Sequence, residues 1–393
     1  MKKILFICFI LLLCDTVMWA QDPVWNQIQH NPLALNPAYA SNPGQGSSFY
    51  YNTRNQWINL PGPNKFVGSH QANHYSYTSP ICTPWLKGKY NGLGTSFQIN
   101  SIRAGEGRLG YLGFSHNIGT YLPITKSHKR NIACYFGMGY SLSQYSIQWE
   151  NLTFSSQLDP YLGLVNSSPL VNPRYPNAPS NVSGSGQFGG FIHGNLTART
   201  YFRTGYALYH FGPEIVTFFD QRESVMPRHS FHSTLTYFPK SKSGLRKDFQ
   251  ANYWILHQNF QTQYPLRTSE TRLSVCNGGV IINTLGLRSR YFLALNTQVD
   301  SWLYSIQLNT NVGMISAGYE YTISKLNNGR SGGTVELGWT LPLGGCIGPK
   351  AFRKREPCFV EDLLMASEWK AVEKFSKTAT SWGVQYSPIT FIP

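Results

Sequence analysis

From Asn131 to Ser143 the chain reads NIACYFGMGYSLS, and this stretch decides the fold. Ile132, Cys134, Phe136, Met138, Tyr140 and Leu142 fall on one side of a two-residue period, while Ala133, Gly137, Gly139, Ser141 and Ser143 fall on the other. Successive side chains of a strand point to opposite faces, so this segment has one oily face and one that is small and polar. The division recurs near the end, where Val335, Leu337, Trp339 and Leu341 alternate with Thr334, Glu336, Gly338 and Thr340. It recurs again where Ile315, Ala317, Tyr319, Tyr321 and Ile323 interleave with Met314, Ser316, Gly318, Glu320 and Thr322. A soluble sandwich turns its oily face inward and a membrane barrel turns it out, so alternation alone leaves both open.

Composition narrows the choice. Only 13% of the 393 residues are charged, against about 25% in an average soluble domain. With 41% hydrophobic and 15% aromatic residues the chain is too apolar to stay disordered. Mean hydropathy is nonetheless below zero, and past residue 20 there is no apolar run of the ~18 residues a membrane helix needs. Many aromatics, 36 glycines and few charges point to strands, and to a bilayer as the cover for their oily side. Alternating segments predict strands near 47–57, 65–77, 89–102, 107–121, 130–149, 184–197, 200–211, 228–239, 246–257, 270–284, 288–298, 301–309, 311–324 and 331–342. That count is even, as a single-chain bacterial barrel requires, and several runs reach the roughly 9–11 residues of a tilted crossing. The expected fold class is all-β: a transmembrane antiparallel β-barrel of about fourteen strands.

The ends read differently. Lys2 and Lys3 before the apolar run Ile4 to Leu13, with Ala20 ahead of Gln21, predict a secretory signal peptide over 1–20. Leu13 is too large for lipoprotein processing at Cys14. Residues 21–45 then form an N-terminal periplasmic segment, 46–343 the barrel, and 344–393 a periplasmic extension with a helix near 359–377. In that helix Glu361 and Asp362 near the start, with Lys370, Lys374 and Lys377 toward the end, suit the helix dipole. With the mature N-terminus in the periplasm, connections 150–183 and 212–227 face outward, Ala198-Arg199 and Thr310 are tight inner turns, and the C-terminus is periplasmic too. The expected location is therefore the cell outer membrane.

Little in the sequence carries chemistry. Gly184 to Gly189 matches G-x-G-x-x-G, but a Pro/Asn-rich loop precedes it and strand-like residues follow, where a dinucleotide site needs a strand and then a helix. His70 and His74 share a strand face without a nearby acid, so a metal site is not expected there. Acids in the strand region are sparse and isolated, and no nucleophile elbow occurs. No cofactor, no metal and no enzymatic activity are expected. Cys82, Cys134, Cys276, Cys346 and Cys358 remain after the signal, an odd set, and Cys346 with Cys358 is the pair close enough in sequence to close a small loop. The excess of Lys and Arg, 33 against 18 acids, would draw anions, lipid phosphates or acidic protein segments to the lumen or rims. Nucleic acid is not an expected partner of an exported chain.

The segment QDPVWNQIQHNPLALNPAYA at 21–40 resembles the opening of the PorP/SprF family of type IX secretion system outer-membrane proteins. Further similar stretches follow in order: RNQWINLPG at 54–62, GLGTSFQIN at 92–100, Gln144-Tyr145-Ser146 with Trp149, PRHSF at 227–231 and YTISKLNN at 321–328. The resemblance implies a barrel in the outer membrane of Bacteroidota that secretes or anchors proteins bearing a C-terminal sorting domain, as gliding adhesins do. It also implies periplasmic secretion components and a peptidoglycan-binding protein as partners, and no catalytic residues. The chain departs from that pattern by its extension from Gly344. Pro23, Pro32, Pro37 and Pro43 keep the N-terminal segment from regular structure while Trp25, Leu33, Leu35 and Tyr39 anchor it, so it is expected along or inside the periplasmic mouth. Candidate partner-binding residues are Trp25, Leu33 and Tyr39 there, and Leu363, Trp369 and Phe375 in the extension. The rival reading is an outer-membrane transport channel for anionic solutes.

Overall fold

The computed structural model describes residues 25–27, 30–41, 47–56, 70–81, 93–105, 109–126, 131–148, 158–159, 163–164, 182–197, 200–212, 214–218, 221–239, 253–263, 266–277, 280–292, 296–310, 313–323 and 332–343. Its strands are β1 Ser48–Gln56, β2 His70–Pro80, β3 Leu93–Ala104, β4 Leu109–Lys126, β5 Asn131–Ser146, β6 Leu158–Asp159, β7 Gly163–Leu164, β8 Ser183–Thr197 and β9 Thr200–Phe211. They continue as β10 Ile215–Phe218, β11 Gln221–Ser224, β12 Arg228–Tyr237, β13 Tyr253–Gln263, β14 Leu266–Asn277, β15 Val280–Phe292, β16 Asn296–Thr310, β17 Gly313–Thr322 and β18 Thr334–Pro342.

Fourteen of them close into one barrel in the order β1-β18-β17-β16-β15-β14-β13-β12-β9-β8-β5-β4-β3-β2. Every neighbour is antiparallel, and the seam joins β1 to β18 from Ser48 opposite Pro342 to Gln56 opposite Thr334. Closure removes the open edges that would otherwise offer unpaired backbone groups, which is what a bilayer core demands. The remaining strands form two small hairpins, β6-β7 and β10-β11, within the connections after β5 and β9. These connections share the end of the barrel opposite the one where β1 starts and β18 stops.

The face assignment read from the sequence holds. Phe136, Met138, Tyr140 and Leu142 of β5 are exposed on the outside, Met138 at 70%, while Ala133, Ser141 and Ser143 are buried inside. On β18, Leu337 and Trp339 are exposed and Thr334 and Glu336 are buried. The oily side of the alternation therefore faces outward. It is the lumen that is packed, and largely with polar groups.

The strand count is as expected, but three placements differ. The alternation predicts strands at 246–257, 270–284 and 288–298, whereas the structure has β13, β14 and β15, with Gln263 opposite Leu266 and Asn277 opposite Val280. Gly278 and Gly279 lie inside the expected 270–284 strand. Apolar residues flank them on both sides, so periodicity carried the expected strand straight through a short turn signal. At the β16-β17 turn, Gly313 takes φ +127, which a side chain would resist, and its carbonyl accepts a 2.7 Å hydrogen bond from Thr310 Oγ1. The G-x-G-x-x-G run at 184–189 lies within strand β8. Cys346, Cys358 and the whole extension from 344, with its expected helix, lie outside the described residues.

Candidate functional site: the filled lumen

The N-terminal segment folds by local rules before it meets the wall. Asn31 caps a single helical turn, Pro32–Leu35, with its side chain accepting from Ala34 N at 3.2 Å and proline at the first helical position. Asn36 ends that turn in extended geometry, and Pro37 opens a 3-10 turn, Pro37–Ser41. The two Asn-Pro pairs are thus two corners. They make a compact knot from a segment that proline bars from joining the sheet.

This knot sits inside the barrel. Trp25 is 6% exposed, Leu33 0% and Tyr39 8%, and Ala38, Ala40, Asn26, Gln27 and His30 are buried with them. Leu33, Leu35, Ala38, Tyr39 and Ala40 pack on Ala133, Tyr135 and Phe191 of β5 and β8. The Tyr39 and Phe191 ring centres are 4.7 Å apart, and Phe191 stacks on Tyr135 at 4.3 Å. Trp25 meets His74 of β2 edge-on at 5.9 Å. The backbone comes so close to the wall that inward positions must be glycine: a Cβ on Gly137 would lie 2.5 Å from Ala38 Cα. Gly94, Gly119 and Gly189 likewise face Ala40, Ser41 and Asn36.

Polar groups fix the register of the knot. Asn36 Nδ2 donates to the carbonyls of Gly190 at 3.1 Å and Tyr206 at 3.0 Å, while its Oδ1 accepts from Ala38 N at 2.9 Å. Tyr209 OH donates to the Leu33 carbonyl at 2.8 Å and Arg228 Nη2 to that of Ala34 at 3.1 Å. Glu336 accepts the backbone N–H groups of Asn26 and Gln27, both at 2.7 Å, and the Asn52 amide at 2.8 Å. Backbone donors of a buried segment need such acceptors, because each one left unpaired costs about 1–3 kcal/mol.

Glu336 belongs to a larger buried network. Arg54 bridges Glu336 at 3.3 Å and Glu320 at 2.7 Å. Arg288 holds Glu320 at 2.7 Å and Glu270 at 2.9 Å, and reaches Asn26 Oδ1. Arg272 pairs with Glu270 through Nε. Three arginines thus meet three glutamates from β1, β14, β15, β17 and β18. A buried network of this kind adds little net stability as a whole but is costly to break from one side.

The opposite end has its own closure. The connection after β9 bends inward at Glu214, which is 1% exposed. Glu214 accepts from Ser143 at 2.5 Å and Ser185 at 2.7 Å and pairs with His210 Nδ1 at 2.6 Å. Burial alone would raise its carboxyl, but His210 and the two hydroxyls outweigh that and leave it below its ordinary value. His210 takes φ +56, and it is the one non-glycine residue with positive φ among those described. Val225 packs on Tyr145 beside Tyr111 to seal the same connection. Between the knot and this Glu214–His210 latch lies a cavity of about 50 Å³, lined by Trp25, Gln98, Gln187, Tyr209, His210 and Arg228 among others. At the other side of the knot, burial lowers His30 to about 3, so its imidazole is neutral, with Nδ1 2.7 Å from Thr340 Oγ1.

The structure therefore places Trp25, Leu33 and Tyr39 together in the lumen with their side chains against the wall. Leu363, Trp369 and Phe375 lie outside the described residues. Sequence reading missed Glu270, Glu320 and Glu336, which looked isolated because strand separation hid their convergence. The available signal was that Glu320 and Glu336 fall on the small, polar side of the alternation, where a buried carboxylate must find a cation. His70 and His74 both lie on β2, and His74 Nδ1 is 2.6 Å from Asn100 Oδ1.

A closed ring of antiparallel strands with an oily exterior and a packed polar interior defines an integral outer-membrane β-barrel. The family model for the type IX secretion system membrane protein PorP/SprF matches residues 17–341, and the chain belongs to that family. Comparison with curated proteins gives no match. Among solved structures, a FadL homologue of Pseudomonas aeruginosa is similar at 10% identity, over 78% of this chain and 92% of that one, with a TM-score of 0.37. The toluene transporter TodX of P. putida is similar at 9% identity over 79% and 93%, TM-score 0.38, and CdiB from Acinetobacter baumannii at 9% over 76% and 60%, TM-score 0.39.

Proposed function

We propose that this barrel is a closed, non-enzymatic component of type IX secretion that helps to secrete or anchor sorting-domain cargo through its exposed ends rather than through its lumen. The observation that carries this reading is the seating of residues 25–27 and 30–41 inside the ring, with contacts to strands on opposite sides of the seam. A lumen filled by its own chain leaves the rims as the working surfaces. In this reading both termini are periplasmic, the connections 150–183 and 212–227 face outward toward cargo, and periplasmic secretion components with a peptidoglycan-binding protein meet the terminal end. Buried Trp25, Leu33 and Tyr39 serve partners only indirectly, by holding the knot, while Leu363, Trp369 and Phe375 of the extension offer a docking element. An anion channel would require the knot to leave.

The test is recovery of the tagged protein from native outer membranes. Sorting-domain cargo and periplasmic components are expected to co-purify. Deleting residues 346–393 should lose periplasmic partners and keep cargo. Unchanged recovery removes the docking role of the extension, and absence of cargo from the intact protein overturns the secretion reading.

A further inference from the structure

Strands β9, β12, β13 and β14 stand side by side, and each turns a basic side chain inward: Arg203, His232, His257 and Arg272. Arg203, Thr234, His257 and Arg272 are successive Cα partners across the four strands, and His232 is the next inward position beside Thr234. At about 4.8 Å per strand the row is roughly 14 Å wide. Among the described residues the carboxylate at this row is Glu270, which Arg272 shares with Arg288. Arg203 donates to Tyr39 OH at 3.2 Å and lies 5.3 Å from the centre of that ring, so the row borders the knot.

Three side chains of the row, His232, His257 and Arg272, keep buried polar atoms without a hydrogen-bond partner. Thr234 Oγ1 occupies His257 Nδ1 at 2.9 Å, and His257 Nε2 is buried with no hydrogen-bond partner. Both ring nitrogens of His232 are in the same condition at 2% exposure, as is Arg272 Nη2. Buried polar groups without partners are rare in folded proteins, and these come from adjacent strands facing one lumen. A single oxyanion would satisfy a guanidinium and two imidazole N–H groups at once, with charge-assisted bonds to arginine.

We propose that Arg203, His232, His257 and Arg272 form an oxyanion-binding site on the inner wall, one that takes a carboxylate or phosphate group. Arg272 Nη2 and His257 Nε2 hold the oxygens, His232 closes the side toward the knot, and Arg203 supplies further positive charge. This goes beyond the secretion reading and does not depend on it. The full-length protein, purified in neutral detergent and dialysed against chloride, is titrated calorimetrically with inorganic phosphate and, separately, with acetate. Saturable binding of one or both is expected, weakened at least tenfold by Arg272→Gln and by His257→Leu and unchanged by Arg103→Gln on the exposed part of β3. The anion that binds tells a phosphate-bearing ligand from a carboxylate-bearing one. Should Arg272→Gln fail to fold, His257→Leu, which leaves the Glu270 pair intact, decides alone. No saturable binding of either anion, or equal binding in the variants, overturns the site.

Discussion

Asn26 and Arg288 are 262 residues apart in sequence, yet Arg288 Nη2 donates to Asn26 Oδ1 at 2.5 Å. The same guanidinium holds Glu270 and Glu320. One side chain thus joins the N-terminal segment to two strands of the late barrel, and the seating of the knot is coupled to the buried charge network.

Removing that guanidinium should therefore do more than delete a contact. Arg288→Met leaves Glu270 and Glu320 short of a cation, and breaking a buried pair on one side costs about 3–5 kcal/mol. Thermal unfolding in detergent is expected to shift down accordingly, and Glu320→Gln in the same chain should restore part of the loss. Equal, additive losses in single and double variants would show that the residues do not act together.

Gly137→Ala should lift the 3-10 turn. The new Cβ would lie 2.5 Å from Ala38 Cα, and backbone cannot yield as a side chain can. Overpacking of this kind costs about 1–3 kcal/mol. A cysteine at Ala38 should react with a maleimide faster in the Gly137→Ala background than in the parent. Equal labelling rates would place the turn elsewhere.

His30 gives the knot a pH dependence of definite sign. Its folded value of about 3 lies below the ordinary 6.5, so a released knot takes up a proton that the seated one refuses. The stabilising difference is whole above pH 6.5 and falls by about 1.4 kcal/mol per pH unit as acid is added toward the folded value. The stability of the parent should drop faster than that of His30→Gln between pH 6.5 and 4. Parallel profiles would contradict a buried neutral imidazole.

Glu214 acts over a lower range. Its folded value is depressed, so the latch contributes fully above the ordinary carboxylate value of 4.5 and loses strength as pH falls through the folded one. Limited proteolysis of the 212–227 connection should be slow at pH 6 and fast at pH 3 in the parent, and fast at both in Glu214→Ala. A connection cut equally at both pH values in the parent would sink the latch.

How much of this was legible before the structure depends on range. Lipid-facing alternation is a local signal, so β5 and β18 could be read with their faces assigned. The break between β14 and β15 escaped the alternation because only the Gly278-Gly279 pair interrupts an otherwise apolar run. Proline and aromatic spacing marked 21–40 as a fixed element near a mouth, but its seat depends on contacts such as Gln27 N to Glu336, 309 residues away. No local window contains both partners. Glu270, Glu320 and Glu336 failed to register for the same reason, since each strand carries one acid and only the strand-by-strand pairing from β14 to β18 gathers them. The row of Arg203, His232, His257 and Arg272 likewise needs the register of four strands to be seen.

Ion conductance of the purified protein in planar bilayers tests the filled lumen most directly. The intact chain should show no sustained open pore, and deletion of residues 21–41 should produce one with large, steady unitary currents. An intact protein that conducts as freely as the deletion variant would contradict the account.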